Sequence, residues 1–275
     1  MADLRLDLNT YRVPTDGSFK LASIPTDVDE GLDKDDAKDQ TKANIEASAD
    51  LQERLWAEDK QSLLFVVQAM DTGGKDSLIR NVTRGLNPQG VTVTNFKAPT
   101  KEELEHDFLW RVHDHTPAKG EIALFNRSHY EDVLIVKVHG WAPPEIIERR
   151  YDHINDFEQL LADSGTTVVK IYLHISKDYQ KERLQRRLRR PDKHWKFNPA
   201  DLDERARWDD YMVVIEDALN RCSTEAAPWH VVPAQTRWYR DLLVSQLMLE
   251  TLQRMDPQYP EPSFDISQYP PESIV

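Results

Sequence analysis

Five short apolar runs of β-forming residues, each divided from the next by a stretch of helical character, restrict this chain to one class of fold. The runs lie at 63–68 (LLFVVQ), 91–96 (VTVTNF), 122–125 (IALF), 168–175 (VVKIYLHI) and 230–233 (HVVP). Helical patterns fill 43–60, 101–113, 144–161, 178–190, 201–221 and 238–254. Continuously apolar strands alternating with helices predict an α/β fold whose parallel sheet is covered on both faces. Such a sheet binds ligands beyond the carboxyl ends of its strands, so the chemistry is expected where these runs stop. With 275 residues, 39% of them hydrophobic, the chain carries enough apolar material for one large core. Residues 1–44, with Pro14, Pro25 and many aspartates, are expected to wrap the surface or stay mobile, ahead of a domain at 45–255. Residues 256–275 carry five prolines and read as an extended tail.

The single cysteine, Cys222, excludes an intrachain disulfide and a multi-cysteine zinc site. No leader-like stretch follows Met1 and no apolar run approaches membrane-spanning length, which predicts a cytoplasmic protein with no membrane partner. The formal net charge of -13 argues against nucleic-acid binding, but the charge is unevenly spread. Residues 1–60 hold 15 acidic and 8 basic side chains, whereas 181–196 (KERLQRRLRRPDKHWK) hold eight basic and two acidic ones. Like charges spaced i, i+4 destabilise an isolated helix, so this block makes sense when an anionic ligand neutralises it. It is predicted to be a mobile basic lid over about 178–200. Arg183, Arg187 and Arg190 share one stripe, and the pattern leaves open whether Arg183, Arg186 or Arg187 reaches the chemistry.

The first apolar run passes directly into AMDTGGKD and then a helical SLIRNVTRGL. This approaches the phosphate loop G-x-x-x-x-G-K-[ST] in the strand–loop–helix context that such a loop requires. Thr72, Gly73, Gly74, Lys75, Asp76 and Ser77 are the expected phosphate-binding residues: glycines let N–H groups curl around oxygens and lysine neutralises them. Ala69 stands in place of the first glycine, and Asp76 in place of the hydroxyl residue. A carboxylate such as Asp71 inside this loop repels phosphates unless a cation intervenes, so it is a candidate Mg²⁺ ligand. DTGG also fits the DxxG of GTPases, but no NKxD-like motif follows.

The third run ends in Asn126-Arg127-Ser128-His129-Tyr130-Glu131-Asp132. Arg127 can clamp a transferring phosphoryl group, while His129 suits a packed role, since phosphoryl transfer needs positioning and charge neutralisation more than a base. Lys97, Lys101, Lys193 and Lys196 are candidates for a positive track along a flexible polyanion, and Asp107 and Arg111 for contacts to an acceptor nucleotide. Trp110, Trp195, Trp208 and Trp229 read as packing residues.

Taken in order, AMDTGGKD, NPQGVTVTNFKAPT, the FLWR of 108–111, GEIALFNRSHYEDVL, RLQRRLRRPDKHWK, DLDERARWDDY and APWHVVPA with Trp238 and Arg240 resemble polyphosphate kinases of family 2 over roughly 45–255. The resemblance implies a P-loop kinase fold similar to thymidylate kinase. It also implies Mg²⁺-dependent phosphoryl transfer between inorganic polyphosphate and AMP, ADP or ATP, with Mn²⁺ as a substitute metal. It carries Asp71 and Lys75 onto the family's phosphate loop, Arg127 onto its second motif, and Arg183 and Arg187 onto its lid. Many members have Asp where Asn126 stands and Asn where Glu131 stands, and the FNRSHYED form resembles the subgroup that phosphorylates both AMP and ADP. This shifts the expected metal ligands to Asp71 with Glu131, Asp132 being the alternative, and leaves Asn126 and Glu131 as nucleotide contacts. A homo-oligomer, dimer or tetramer, is implied by the resemblance alone. The competing readings are an ATP-dependent nucleoside monophosphate kinase and a non-catalytic polyphosphate- or nucleotide-binding protein.

Overall fold

Helix α1 (Lys34–Glu58) leads into β1 (Ser62–Ala69), and α2 (Lys75–Val82) into β2 (Val91–Asn95). The short α3 (Trp110–His113) precedes β3 (Ile122–Asn126), and α4 (Ile135–His139) and α5 (Pro144–Asp163) precede β4 (Thr166–His174). Helices α6 (Lys177–Arg189), α7 (Ala200–Ala206) and α8 (Trp208–Arg221) lead to β5 (Trp229–Pro233), and α9 (Arg237–Met255) follows. These elements come from a computed structural model that describes residues 4–274.

The five strands are all parallel, in the order β2-β3-β1-β4-β5. The register sets Val67 of β1 beside Asn126 of β3 and Ile171 of β4. The chain leaves β1 toward one side of the sheet and returns from β3 to the other, so the crevice at the carboxyl end of β1 is the topological switch point. Every described residue of β3 and β5 is buried, as is all of β1 up to Gln68, which is why these strands read as continuous apolar runs. β2 is an open edge, with Val93 51% exposed.

The opposite edge is closed by the N-terminal segment. Arg12 forms an antiparallel bridge to His230, and the Val13 amide donates to the Trp229 carbonyl at 2.9 Å. Tyr11 and Val13 are buried there, and the Tyr11 hydroxyl meets that of Tyr239 at 2.7 Å. Covering an edge strand in this way removes a template for unwanted strand pairing.

Three boundaries differ from the sequence reading. Helix α1 starts at Lys34, where Asp33 caps it by accepting from the Asp35 and Asp36 amides, so a division at residue 44 falls inside the helix. Only Trp110–His113 of the stretch 101–113 is α-helical. Thr100 and Glu103 cap each other's amides, and then the Asp107 carboxylate accepts from the Leu109 and Trp110 amides, which starts a new turn and breaks the helix. The stretch 201–221 is likewise divided at Arg207 into α7 and α8. No helix among the described residues is long and apolar enough to cross a membrane.

Two imidazoles are buried at the β4–β5 end of the sheet. Burial pushes His174 and His230 down to about 4, and neither Nδ1 has a hydrogen-bond partner among the described residues. Between pH 6.5 and pH 4 the folded chain therefore binds fewer protons than the unfolded one, and stability falls as pH drops through that window. The expected loss is roughly 3 kcal/mol per histidine. Denaturant midpoints measured from pH 7 to pH 4 check this, and His230→Phe flattens the dependence if the assignment holds.

Candidate active site

At the carboxyl end of β1 the chain turns sharply and opens α2. The Gly73 amide closes this turn on the Met70 carbonyl at 3.0 Å, and Thr72 is left-handed at φ 66°. Gly74 is left-handed at φ 100°, and a Cβ there would lie 2.6 Å from Arg240 Nη1. A Cβ on Gly73 would lie 2.7 Å from the Ala69 Cβ and 2.9 Å from the Met70 carbonyl oxygen. The loop thus accepts Ala69 where a glycine is usual because Gly73 leaves room for its methyl group. Lys75 is 8% exposed and donates to the Ala69 carbonyl at 3.0 Å, folding its ammonium back over the loop. Burial and the Arg127 charge push its pKa down, against the pull of Asp71, Glu131 and Asp76. An incoming phosphate would restore the balancing charge.

Beyond β3, Arg127 also adopts left-handed backbone, at φ 64°, with its amide bonded to the Val67 carbonyl at 3.1 Å. Its guanidinium contacts Asp71 Oδ1 at 2.5 Å and lies 3.9 Å from Glu131 Oε2. Burial works against its charge, but these two carboxylates outweigh that and raise its pKa. Asn126 donates to Asp76 Oδ1 at 2.9 Å. Burial disfavours the Asp76 charge, yet this bond together with Lys196 and Lys75 holds its carboxyl below the ordinary range. The carboxylate expected at the end of β3 and the polar neutral group expected on the loop have therefore changed places, and they remain bonded to each other.

The lid closes over this arrangement. The Gln180 side chain of α6 donates to the Asp71 carbonyl at 3.1 Å, and Lys196 reaches Asp76 Oδ2 at 3.5 Å. Arg187 is held by the Lys196 carbonyl at 2.9 Å and by Asp201 Oδ2 at 3.1 Å. Loop, turn and lid line an open cavity of about 630 Å³. Twelve of the described residues lining it are lysine or arginine and three are aspartate. In a chain of net charge -13, this concentration of cations defines a polyanion site.

Among the residues expected from sequence, Asp71, Thr72, Gly73, Gly74, Lys75, Asp76, Ser77, Lys97, Asn126, Arg127, Arg183, Arg186, Arg187, Lys193 and Lys196 all line this cavity. Glu131 lies behind it, in a pocket of about 50 Å³ that it shares with Asp71 and Arg127. Other expected residues are placed elsewhere. Asp132 binds Arg150 at 3.3 Å and lines neither space. Arg111 is 7% exposed, donates to the Lys97 carbonyl at 2.9 Å and sits 5.4 Å from the centre of the Phe96 ring, so its charge braces the end of β2. Asp107 caps the turn that opens α3 and, with Arg111, lines a separate pocket of about 700 Å³; Lys101 does not reach the phosphate cavity. Trp208 and Trp229 are packed as expected, but Trp195 is 77% exposed on the lid and Trp110 is stacked on His106 at the surface.

Sequence reasoning missed Arg237, Asp201, Tyr179 and Arg80, which line the cavity, and gave no role to Arg240. Arg240 is 1% exposed, anchored by Asp241 at 2.6 Å, and donates to Ser77 Oγ at 3.2 Å. The only sequence signal for Arg237 and Arg240 is their place at a predicted helix start near the end of β5, where a ligand crevice of this fold opens.

As to a metal, the Thr72 hydroxyl is buried without a partner beside Asp71, and Asp71 and Glu131 converge on one guanidinium. These are hard oxygen donors. Among the described residues no group of three or more His, Cys, Asp or Glu forms a complete cage. Mg²⁺ is commonly held by one or two carboxylates with the remaining positions filled by phosphate and water, so the donor set fits it.

A parallel sheet, a glycine-turn phosphate loop at its switch point and a cationic lid together define a P-loop phosphotransferase. The family model for polyphosphate kinase 2 (PPK2) matches residues 31–260, and the chain belongs to that family. It is 48% identical over 262 residues to an AMP/ADP-polyphosphate phosphotransferase of Meiothermus ruber, a match covering 93% of this chain and 96% of the relative. It is 40% identical to an ADP-polyphosphate phosphotransferase of Rhodopseudomonas palustris, across 94% of both chains. Among solved structures, polyphosphate kinase 2 from Arthrobacter aurescens TC1 superposes with a TM-score of 0.90 at 47% identity, covering 94% of this chain and 93% of that one.

Proposed function

We propose that this chain is a polyphosphate-dependent nucleotide kinase that transfers the terminal phosphoryl group of inorganic polyphosphate to AMP or ADP. The observation that carries this reading is the single cavity in which a phosphate loop, Arg127 and the lid cations face one another. The names of the two similar phosphotransferases support the choice of substrates.

In the proposed reaction an acceptor phosphate oxygen attacks the terminal phosphorus in line. The bond from that phosphorus to the bridging oxygen breaks, and the shortened chain leaves. No covalent enzyme intermediate is involved. The amides at the start of α2 and the Lys75 ammonium hold the donor end. Arg127, fixed between Asp71 and Glu131, faces the equatorial oxygens, where charge spreads in the transition state. Asp71 and Glu131 would hold Mg²⁺, which when bound supplies charge neutralisation between donor and acceptor oxygens. Arg183 and Arg186 border the cavity from α6, while Arg187 is tied to Asp201 and steadies the lid. Closure of the lid over bound substrates would exclude water and favour the nucleotide oxygen over hydrolysis.

Incubating the purified protein with AMP or ADP, long-chain polyphosphate and Mg²⁺ in the absence of ATP tests the reading. Appearance of ADP and ATP is expected. Turnover only when ATP is the donor, or binding of polyphosphate without turnover, would overturn it.

A further inference from the structure

The turn that carries Arg127 is two-sided. Asn126, Arg127 and Glu131 face the cavities, whereas Ser128, His129 and Tyr130 are each 0% exposed and point into the protein. What they meet there is polar. Glu158 of α5 and Lys170 of β4, both 0% exposed, form an ion pair beneath the turn. Glu158 Oε1 accepts from the Tyr130 hydroxyl at 2.9 Å and from His129 Nε2 at 3.2 Å. Lys170 also donates to the Tyr130 hydroxyl, at 2.8 Å. Ser128 Oγ receives the Gln68 side chain at 3.3 Å and the Tyr130 amide at 3.2 Å.

A buried ion pair is a poor source of stability, because desolvation offsets its attraction and apolar replacements of similar volume are often as stable or more so. Its directional bonds nonetheless define where two consecutive turn residues sit. The neighbouring Arg127 needs that definition, since its left-handed backbone is disfavoured for a side chain of its type and persists only where the surroundings over-determine it. We propose that Glu158 and Lys170, acting through Tyr130 and His129, are positioning residues that hold Arg127 in register with Asp71 and the phosphate loop. They touch no substrate, and their effect passes entirely through the arginine. This rests on the role given to Arg127 in the proposed reaction.

The test compares Tyr130→Phe and the paired Glu158→Leu/Lys170→Met with the parent, and repeats both in an Arg127→Ala background. The paired variant is expected to unfold earlier than the parent, because it leaves the Tyr130 hydroxyl, His129 Nε2 and the Cys222 carbonyl buried without these partners. In both variants kcat is expected to fall about 10–50-fold with the nucleotide KM within about twofold, as for a misplaced transition-state contact. In the Arg127→Ala background neither change is expected to lower kcat further, because the group being positioned is gone. A purely structural network would leave that cycle additive, whatever the shift in melting temperature. Turnover within about twofold of the parent in the folded variants, or losses that add in full to that of Arg127→Ala, would overturn the inference. If the paired variant does not fold, Tyr130→Phe decides by the same readouts, since it leaves the ion pair intact. Near-normal turnover of Arg127→Ala by itself sinks both this inference and the reading beneath it. Loss in Arg127→Ala together with normal network variants sinks the inference alone.

Discussion

Arg127→Ala and Lys75→Ala are each expected to lower kcat by at least ~100-fold while the protein keeps its fold, because both act mainly on charge that develops during transfer. Arg127 faces two carboxylates that an approaching polyanion would otherwise meet unscreened. A single arginine presented to a comparable transition state contributes about 10³–10⁵ in rate in GTPases, so the lower figure is conservative. Removing it also leaves Asp71 and Glu131 without their cationic partner, which favours Mg²⁺ binding, so the rate is expected to fall without a higher Mg²⁺ requirement. Lys75 acts from within the loop, where burial has already depressed its pKa and a bound phosphate has most to offer it. Steady-state rates with saturating polyphosphate, alongside circular dichroism of each variant, check the expectation. Turnover within about threefold of the parent would remove that residue from the reaction.

Gly73→Ala is expected to produce the largest loss of stability among substitutions in the loop, roughly 2–4 kcal/mol. The added methyl would meet Ala69 Cβ at 2.7 Å and the Met70 carbonyl oxygen at 2.9 Å, and neither belongs to a flexible side chain that can move aside. For a chain of this size the change corresponds to a melting temperature lower by roughly 5–15 °C. Polyphosphate binding should be lost with it, since the same amides would no longer converge. Adding Ala69→Gly removes one of the two clashes and should recover part of the stability. Calorimetry of the single and double variants measures both. A Gly73→Ala protein as stable as the parent would mean that the loop is not closed in the way described. Gly74→Ala is expected to be milder, because its clash is with the end of a long side chain, Arg240 Nη1, although its φ of 100° remains strained.

Much of this site is legible from local rules. A strand running into Gly73-Gly74-Lys75 before a helix announces a phosphate loop, because backbone amides can cradle oxygens only where glycine permits the turn. The basic run of α6 announces a polyanion, because its arginines far outnumber the acidic residues at helical spacing and Arg183 and Arg187 face each other at i, i+4. The helical reading of 101–113 failed for an equally local reason, a side-chain cap at Asp107 that outcompeted continuation of the helix. Arg111 and Asp132 show the other kind of limit. Charged residues beside a motif look available, yet one is spent on a strand-end carbonyl and the other on Arg150.

By itself the sequence determined the class of fold, the position of the phosphate loop and the cationic character of its lid, since each depends on residues within a few positions of one another. The tertiary structure alone decided the strand order, the hydrogen bond that joins Asn126 to Asp76, and the arrival of Arg237, Arg240 and Asp201 at the cavity. Arg240 reaches Ser77 across 163 residues of chain. No short-range pattern encodes such a meeting, because it follows from how helices stack on a sheet whose strands are themselves assembled out of sequence order.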